Sequence, residues 1–167
     1  MKLASIELIK EILPHSNADS LEIAVACGYK CIVPINKFSV GQAVVLIQPD
    51  TVLPEKPWSE IFRKRSSRVR AMKLRGVWSF GIILSPFDVS DGKDSEQIKR
   101  WLIPSNIGKD ISDEIGVYKY EPPLPQDLSA MGYLPTGMPK TDEERYQNLM
   151  DELPFGEEVE VTLKIDG

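Results

Sequence analysis

Short runs of β-branched and apolar residues, separated by turn sequences, make up the first fifty residues of the chain. The runs are residues 2–13, 21–26, 30–34 and 43–47. The first run fits either a strand or a helix, and the turn cluster at 14–19 after it favours a strand. Gly28 marks a second turn and predicts a hairpin over residues 21–34. Strands this short, joined by turns, are typical of a small β-barrel or sandwich, so we predict a mainly β fold.

A basic cluster follows within residues 58–75. Its basic and apolar side chains alternate over residues 68–75, which predicts a strand with Arg68, Arg70 and Lys73 facing outward. Cationic side chains in such a row suit the phosphate backbone of a nucleic acid. The candidate phosphate-binding residues are Arg63, Arg65, Arg68, Arg70, Lys73 and Arg75.

Two aromatic residues, Trp78 and Phe80, lie between glycines just after the basic cluster. Aromatic rings beside basic residues can stack on bases while the cations contact phosphates. The alternative is a solvated basic face with both rings in the core, and we expect core positions for the rings.

Charge is distributed unevenly along the 167 residues. Residues 1–109 carry 16 Lys and Arg against 11 Asp and Glu, which is +5, and residues 110–167 carry 4 against 14, which is −10. Only the first part is suited to a polyanion. The apolar content of 42% is ordinary for a globular protein with one good core.

The remaining composition excludes several classes of protein. No apolar run approaches membrane-spanning length and residues 1–3 begin no signal peptide, so we expect a cytoplasmic protein with no membrane partner. The two cysteines, Cys27 and Cys31, have a spacing that fits no common zinc site, and we predict no metal site. On one strand they would face the same side as buried thiols.

The second half of the chain is polar and proline-rich. Weak helical patterns cover residues 94–102 and 110–116. The stretch 117–125 predicts a linker, in which Tyr118 and Tyr120 contact the preceding barrel.

Two motifs close the chain. Residues 139–148 read P-K-T-D-E-E-R-Y-Q-N and predict a helix that begins at Thr141 or Asp142. Residues 157–162 alternate as a strand, and K-I-D-G follows at 164–167. A lysine at a strand end is a nucleophile when burial or its neighbours deprotonate it, and otherwise an exposed hairpin lysine.

Together these motifs resemble those of the ATP-dependent RNA ligases that have an OB-fold domain ahead of the nucleotidyltransferase domain. The block H-S-N-A-D-S-L-E at 15–22, V-G-Q-A-V at 40–44 and P-D-T-V-L-P at 49–54 resembles the OB-fold domain of the same ligases. It is also similar to tRNA-binding OB modules appended to synthetases.

The resemblance implies a domain organisation. Residues 1–117 would form an OB-fold-like Greek-key β-barrel that binds nucleic acid, with helical decoration at about 94–116. Residues 118–139 would be an extended linker. Residues 140–167 would begin an incomplete nucleotidyltransferase domain with a short helix and its first strand.

The resemblance also implies site residues and partners. Lys164 would attack the α-phosphate of ATP and carry AMP, with Asp166 beside it as the second catalytic residue. The expected nucleotide-binding residues are Arg145, Gln147, Asn148 and Gly167. The full-length enzyme would use ATP and Mg²⁺ or Mn²⁺ to seal nicked or broken duplex RNA in RNA repair, and the basic cluster would bind that RNA. We expect no cofactor bound to this chain, and no ligase activity from it without the C-terminal nucleotidyltransferase portion.

Two functional hypotheses follow. The chain is the N-terminal portion of an RNA ligase that acts through a lysyl-AMP intermediate, or a stand-alone OB-fold module that binds RNA or tRNA without catalysis.

Overall fold

A computed structural model describes residues 2–90, 95–122, 146–148 and 156 of the chain. Its strands are β1 (Ala4–Pro14), β2 (Leu21–Ala26), β3 (Tyr29–Pro34), β4 (Ala43–Ile47), β5 (Thr51–Val52), β6 (Met72–Leu74), β7 (Val77–Ser79), β8 (Ile82–Leu84) and β9 (Tyr118–Lys119). Its α-helices are α1 (Glu60–Arg63), α2 (Pro86–Val89), α3 (Ser95–Trp101) and α4 (Ser112–Ile115), and 3₁₀ turns occupy Pro57–Ser59, Pro104–Asn106 and Tyr146–Asn148. The predicted helix at 141 or 142 and the predicted strand at 157–162 lie outside the described residues.

Five strands form a nearly closed antiparallel barrel in the order β3-β2-β1-β4-β8. Strand β1 is long enough to serve two neighbours, since Ala4–Leu8 pairs with β4 and Ile9–Pro14 pairs with β2. A register shift between Ile9 and Glu11 bends the strand where it passes from one neighbour to the other. The mainly β, OB-like barrel predicted from the sequence is confirmed.

The barrel closes where β3 meets the chain that leads into β8. The amide of Phe80 donates a hydrogen bond to the carbonyl of Lys30 at 2.8 Å, and the amide of Ile32 donates to Ser79 Oγ at 3.0 Å. A serine hydroxyl therefore satisfies a backbone donor at the seam, because a buried N–H without a partner is costly.

Strand β4 is apolar at every position because both of its faces are buried. Val44 and Leu46 pack into a core cluster with residues of β1, β2 and β3, whereas Val45 and Ile47 pack into a second cluster on the opposite face. The second cluster includes Trp101 from α3 and residues from α2 and α4. The helices thus cover the outer face of the sheet, and β4 is buried on both sides.

The segment before residue 120 is fastened to the barrel. Ser112 Oγ accepts the amides of Leu3 and Ala4 at 3.2 and 3.0 Å. Strand β9 then pairs with β5, and the amide of Tyr120 donates to the carbonyl of Asp50 at 2.8 Å. The contact of this tyrosine-containing segment with the barrel, predicted from the sequence, is confirmed.

Two local predictions are wrong. The alternating stretch 68–75 forms a strand only at Met72–Leu74, because Arg68 bridges to Val52 of β5 instead. Cys31 is buried as expected, but Cys27 lies in a turn at a positive φ of 46° and is half-buried. The turn between β2 and β3 therefore separates the two thiols.

Candidate nucleic-acid interface

A short hairpin, β6–β7, presents a basic and an aromatic side chain on one face. Lys73 is the cross-strand partner of Trp78, and both side chains are exposed. The neighbouring residues Met72 and Leu74 are half-buried on the other face. Alternation along a strand directs successive side chains to opposite faces, so this hairpin has one open face.

Trp78 and Phe80 form an exposed stacked pair, which corrects the expectation that both rings lie in the core. Trp78 is 51% exposed and Phe80 is 41% exposed. Their ring centroids lie 6.2 Å apart with an interplanar angle of 26°. Large exposed apolar side chains that lie next to each other mark interaction sites more often than isolated ones do. We call Lys73, Trp78 and Phe80 the hairpin surface.

The residues between and after the two rings fix their position. Ser79 is buried because its hydroxyl accepts the Ile32 amide, so the residues on either side of it face outward. Gly81 has a φ of +105°, and a Cβ there would lie 2.5 Å from the carbonyl oxygen of Ile47. The backbone of Phe80 is thereby held against β3 and β4, and only glycine fits at position 81.

The loop after β1 holds the other end of the hairpin. His15 is buried, its Nδ1 accepts the Asn17 amide at 3.1 Å, and its Nε2 therefore donates to the Leu74 carbonyl at 3.2 Å. Asn17 Nδ2 donates to the carbonyl of Arg75 at 3.0 Å. The H-x-N motif of this loop thus has a structural role, since it positions the hairpin turn.

A cleft of about 390 Å³ opens beside Phe80. This volume lies at the lower end of the range that is usual for small-molecule pockets. The lining residues are Gly28, Tyr29, Lys30, Pro49, Ala71, Phe80 and Gln147. Lys30 is exposed at its rim and adds a cation to it.

The six predicted phosphate-binding residues do not share one environment. Arg65, Arg70, Lys73 and Arg75 are exposed, and within the described ranges no carboxylate oxygen lies within 4.0 Å of their side-chain nitrogens. Arg63, by contrast, pairs with Glu55 and donates to the Leu53 carbonyl at 3.3 Å. The first group is available to an anion from outside the chain.

Arg68 belongs to a cluster of its own. Its Nε and Nη2 both donate to Asp50 Oδ1, the former at 3.1 Å, and its guanidinium carbon lies 3.8 Å from the centroid of the Tyr120 ring. The hydrogen bond that Arg68 donates to Asp50 raises the pKa of Arg68 above its usual value. We call Asp50, Arg68 and Tyr120 the Arg68 cluster, and it joins the barrel to the segment that follows β9.

Two of the predicted nucleotide-binding residues, Gln147 and Asn148, contact the barrel. Asn148 Oδ1 accepts Gln48 Nε2 at 2.7 Å, and the fully buried Gln48 also accepts Tyr29 Oη at 3.0 Å. The carbonyl of Gln147 accepts the Cys27 thiol at 3.3 Å. Sequence reasoning missed this contact, because nothing in the sequence pairs a residue at 48 with one at 148.

The other predicted catalytic and nucleotide-binding residues lie outside the described residues. They are Arg145, Lys164, Asp166 and Gly167. Among the residues that the structure describes, no three His, Cys, Asp or Glu side chains are grouped as a metal site would require. A search of the same residues finds no helix long and apolar enough to cross a membrane.

Comparison with known protein families assigns the barrel to a family. A family model described as an OB-fold domain matches residues 3–86. That match spans half of the chain, so the chain belongs to this OB-fold domain family. No curated protein sequence matches it significantly.

Solved structures add a more specific similarity. The chain is similar to the RNA ligase of Naegleria gruberi with PPi (27% identity, TM-score 0.67), to a variant of that ligase with ATP and Mn (26%, 0.69) and to an apo variant (29%, 0.66). Each match covers 90% of this chain. The chain spans less than half of each ligase, 45, 45 and 44% respectively. The resemblance to RNA ligases with an OB-fold domain, predicted from the sequence, is confirmed.

Proposed function

We propose that this chain is the N-terminal portion of an ATP-dependent RNA ligase and that its barrel holds RNA beside the break. The observation that carries the proposal is the similarity over 90% of the chain to an RNA ligase, a span that reaches beyond the OB-fold domain. Both ligase motifs, at 139–148 and 164–167, follow the barrel in the order that the resemblance requires.

In this proposal Lys164 is the nucleophile. Its neutral amine attacks the α-phosphorus of ATP, the bond to the bridging oxygen breaks, and pyrophosphate leaves as AMP becomes attached through a phosphoramidate. Asp166 is the second catalytic residue, and Arg145, Gln147, Asn148 and Gly167 are nucleotide-binding residues. Solved ligases similar to this chain hold ATP and Mn, which supports nucleotide and divalent-metal use. Residues outside the described ranges would hold that Mg²⁺ or Mn²⁺.

The barrel supplies the RNA contacts. The four exposed cations Arg65, Arg70, Lys73 and Arg75 lie along and just before the hairpin that carries Trp78. Phosphate contacts of this kind fix the position of the duplex and carry no sequence information. An OB barrel that positions the break in this way needs no base-specific contact.

Adenylylation of the purified chain tests the catalytic half of the proposal. After incubation with α-labelled ATP and Mg²⁺ or Mn²⁺, we expect no stable adduct at Lys164, because formation of the adduct requires the nucleotidyltransferase portion that would complete the nucleotide pocket. A chain that also contains that portion should form the adduct, and its Lys164→Ala variant should not. A covalent adduct on the 167-residue chain would contradict the requirement for that portion.

RNA binding tests the other half. The chain should bind a nicked RNA duplex, with an affinity that falls as salt rises, because phosphate contacts release counterions. Fluorescence anisotropy at several salt concentrations measures the slope of log K against log salt. Absent or salt-independent binding would remove RNA from the proposal.

A stand-alone OB-fold module that binds RNA or tRNA without catalysis remains the second candidate. It is favoured by the position of the hairpin surface and of the exposed cations, which all lie within residues matched by the OB-fold family model. The gene sequence after codon 167 separates the two candidates, since only the ligase candidate requires a nucleotidyltransferase portion to follow there.

A further inference from the structure

The stacked pair of Trp78 and Phe80 is unusual because it leaves two large rings in water. Both rings remain more than 40% exposed, although the chain buries its other two tryptophans, Trp58 and Trp101, to 8 and 2% exposure. Burying such rings is strongly favourable, so an exposed pair that is held in place calls for an occupant. The positive φ and tight packing at Gly81 show that the backbone beneath Phe80 is fixed.

Charge next to the rings identifies the chemistry of that occupant. Lys73 lies directly across the hairpin from Trp78, and Lys30 lines the cleft beside Phe80. Arg70 is exposed two residues before the hairpin. An aromatic platform surrounded by cations fits a nucleotide, whose base stacks on a ring while its phosphates meet the cations.

The state of that nucleotide follows from the geometry of RNA. In an A-form duplex the bases are stacked on one another, and the deep, narrow major groove admits no side chain to them. Aromatic rings therefore stack on bases that are unpaired and turned out of the helix. A continuous duplex therefore offers no base on which the exposed pair could stack.

We infer that Trp78 and Phe80 form a stacking site for an unpaired RNA base, so that the barrel favours RNA with an unpaired nucleotide at the break over a continuous duplex. This inference rests on the proposed function of the barrel in RNA binding. The base stacks against the two rings beside the cleft that Phe80 lines, and Lys73 and Lys30 hold the adjacent phosphates. Gln147 lines the same cleft.

The test compares two RNA probes, namely a nicked duplex with one nucleotide unpaired at the nick and a continuous duplex of the same length. The chain should bind the first probe at least about 5-fold more tightly, given the usual contribution of one stacked base. Trp78→Ala should remove this preference and retain the affinity for the continuous duplex. Lys73→Ala should weaken binding of both probes by the same factor.

Matched variants and a fluorescence measurement distinguish loss of the stacking contact from a change in the folding of the chain. Phe87→Ala removes another exposed ring, 59% exposed, on α2 and should leave the preference intact. The unpaired probe should quench the fluorescence of Trp78, because Trp58 and Trp101 are buried. Trp78→Phe should keep the preference and lose the quench. Circular dichroism checks that each variant is folded.

Each remaining outcome has a defined meaning. Equal affinity of the unchanged chain for both probes, or a preference that survives in Trp78→Ala, overturns the stacking site and leaves the proposed function standing. Loss of affinity for both probes in Trp78→Ala also overturns it. No binding of either probe overturns the proposed function together with the inference. If RNA leaves Trp78 unquenched while Trp78→Ala abolishes self-association of the chain, the rings cover a protein surface instead.

Discussion

The Arg68 cluster and the hairpin surface contain the same types of side chain but differ in whether those side chains have partners within the fold. Each combines a cation with an aromatic ring, and Arg68 and Lys73 lie only five residues apart in the sequence. Arg68 has both a carboxylate, Asp50, and the ring of Tyr120 as internal partners. Lys73 has Trp78 across the hairpin and, among the described residues, no ion-pair partner.

The difference shows what decides the use of a basic residue. A guanidinium that meets a carboxylate and a ring from its own chain contributes to the fold, and its charge is already neutralised. An ammonium on the open face of a hairpin keeps its charge for a partner from solution. The basic and apolar pattern of residues 68–75 does not show which of the two residues has an internal partner, so the contrast is visible only in three dimensions.

The largest expected effect comes from breaking the support of the hairpin surface at Gly81. Gly81→Ala should lower the free energy of unfolding by about 2 to 4 kcal/mol, because its Cβ would meet the Ile47 carbonyl at 2.5 Å and its φ is positive. Urea unfolding followed by circular dichroism measures this loss. Gly41→Ala is the control, since Gly41 has a similar φ of +81° but nothing within 4 Å of its Cβ. Equal losses in the two variants would show that the contact with Ile47 is unimportant.

A smaller loss of stability should appear at alkaline pH, and it should come from Cys31, which is buried beneath the hairpin surface. Cys31 donates its thiol proton to the carbonyl of Phe80 at 3.3 Å, and burial raises the pKa of Cys31 from 9.0 to about 12. The unfolded chain releases this proton first, so the stability that the thiol contributes is complete below pH 9 and is lost as the pH rises towards 12. At pH 10 the loss should be about 1 kcal/mol.

Urea unfolding of the wild-type chain and of Cys31→Ala, each at pH 8 and at pH 10, isolates this contribution. The other titrating groups are common to both proteins and cancel in the comparison. We expect the wild-type chain to lose more stability than the variant between the two pH values. An identical loss in both would mean that Cys31 does not hold its proton in the folded protein.

Next in size is the contribution of the Arg68 cluster to stability. Arg68→Ala should lower Tm by a few degrees, because it removes the ion pair to Asp50 and the contact with the Tyr120 ring. Arg70→Ala, which has no such partners among the described residues, should leave Tm unchanged. Differential scanning calorimetry at low and high salt measures both. If the two variants behave alike, the Arg68 cluster does not fasten the segment after β9.

The smallest effect concerns the salt dependence of RNA binding. Lys73→Ala should reduce the slope of log K against log salt by about 1, as expected for one lost phosphate contact. Lys99→Ala is the control, because Lys99 pairs with Glu96 on the exposed face of α3, away from the hairpin. Arg68→Ala should also leave the slope unchanged while it lowers Tm. A reduced slope in Arg68→Ala would instead support the RNA contact that the sequence predicts for Arg68.

The sequence allowed much of the barrel to be predicted. Strands β1 to β4 follow from their apolar patterns and from the turns between them, because both signals are local. The helical pattern predicted over residues 110–116 ends at Gly116, and Gly116 does end α4 with a φ of +80°. Local propensity is sufficient where neighbouring residues in the chain are also neighbours in space.

Side-chain partners across the fold could not be predicted in this way. Ser79 is buried and the rings beside it are exposed, the reverse of what hydrophobicity alone indicates, because the seam of the barrel needs a hydroxyl for the Ile32 amide. The pairing of Lys73 with Trp78 could have been predicted from the sequence only if the hairpin turn had first been located at Arg75 and Gly76. The predicted roles of Lys164 and Asp166 stay predictions.

The hydrogen bonds between Gln48 and Asn148 limit how far Lys164 can lie from the barrel. Lys164 lies sixteen residues after Asn148, and an extended chain covers about 3.5 Å per residue, so the amine can be no more than about 55 Å from this anchor. The anchor belongs to the same barrel that carries the hairpin surface. Capture of a strand by the barrel would therefore confine strand and amine to one small volume, and their encounter would depend on an effective concentration rather than on diffusion through the cell.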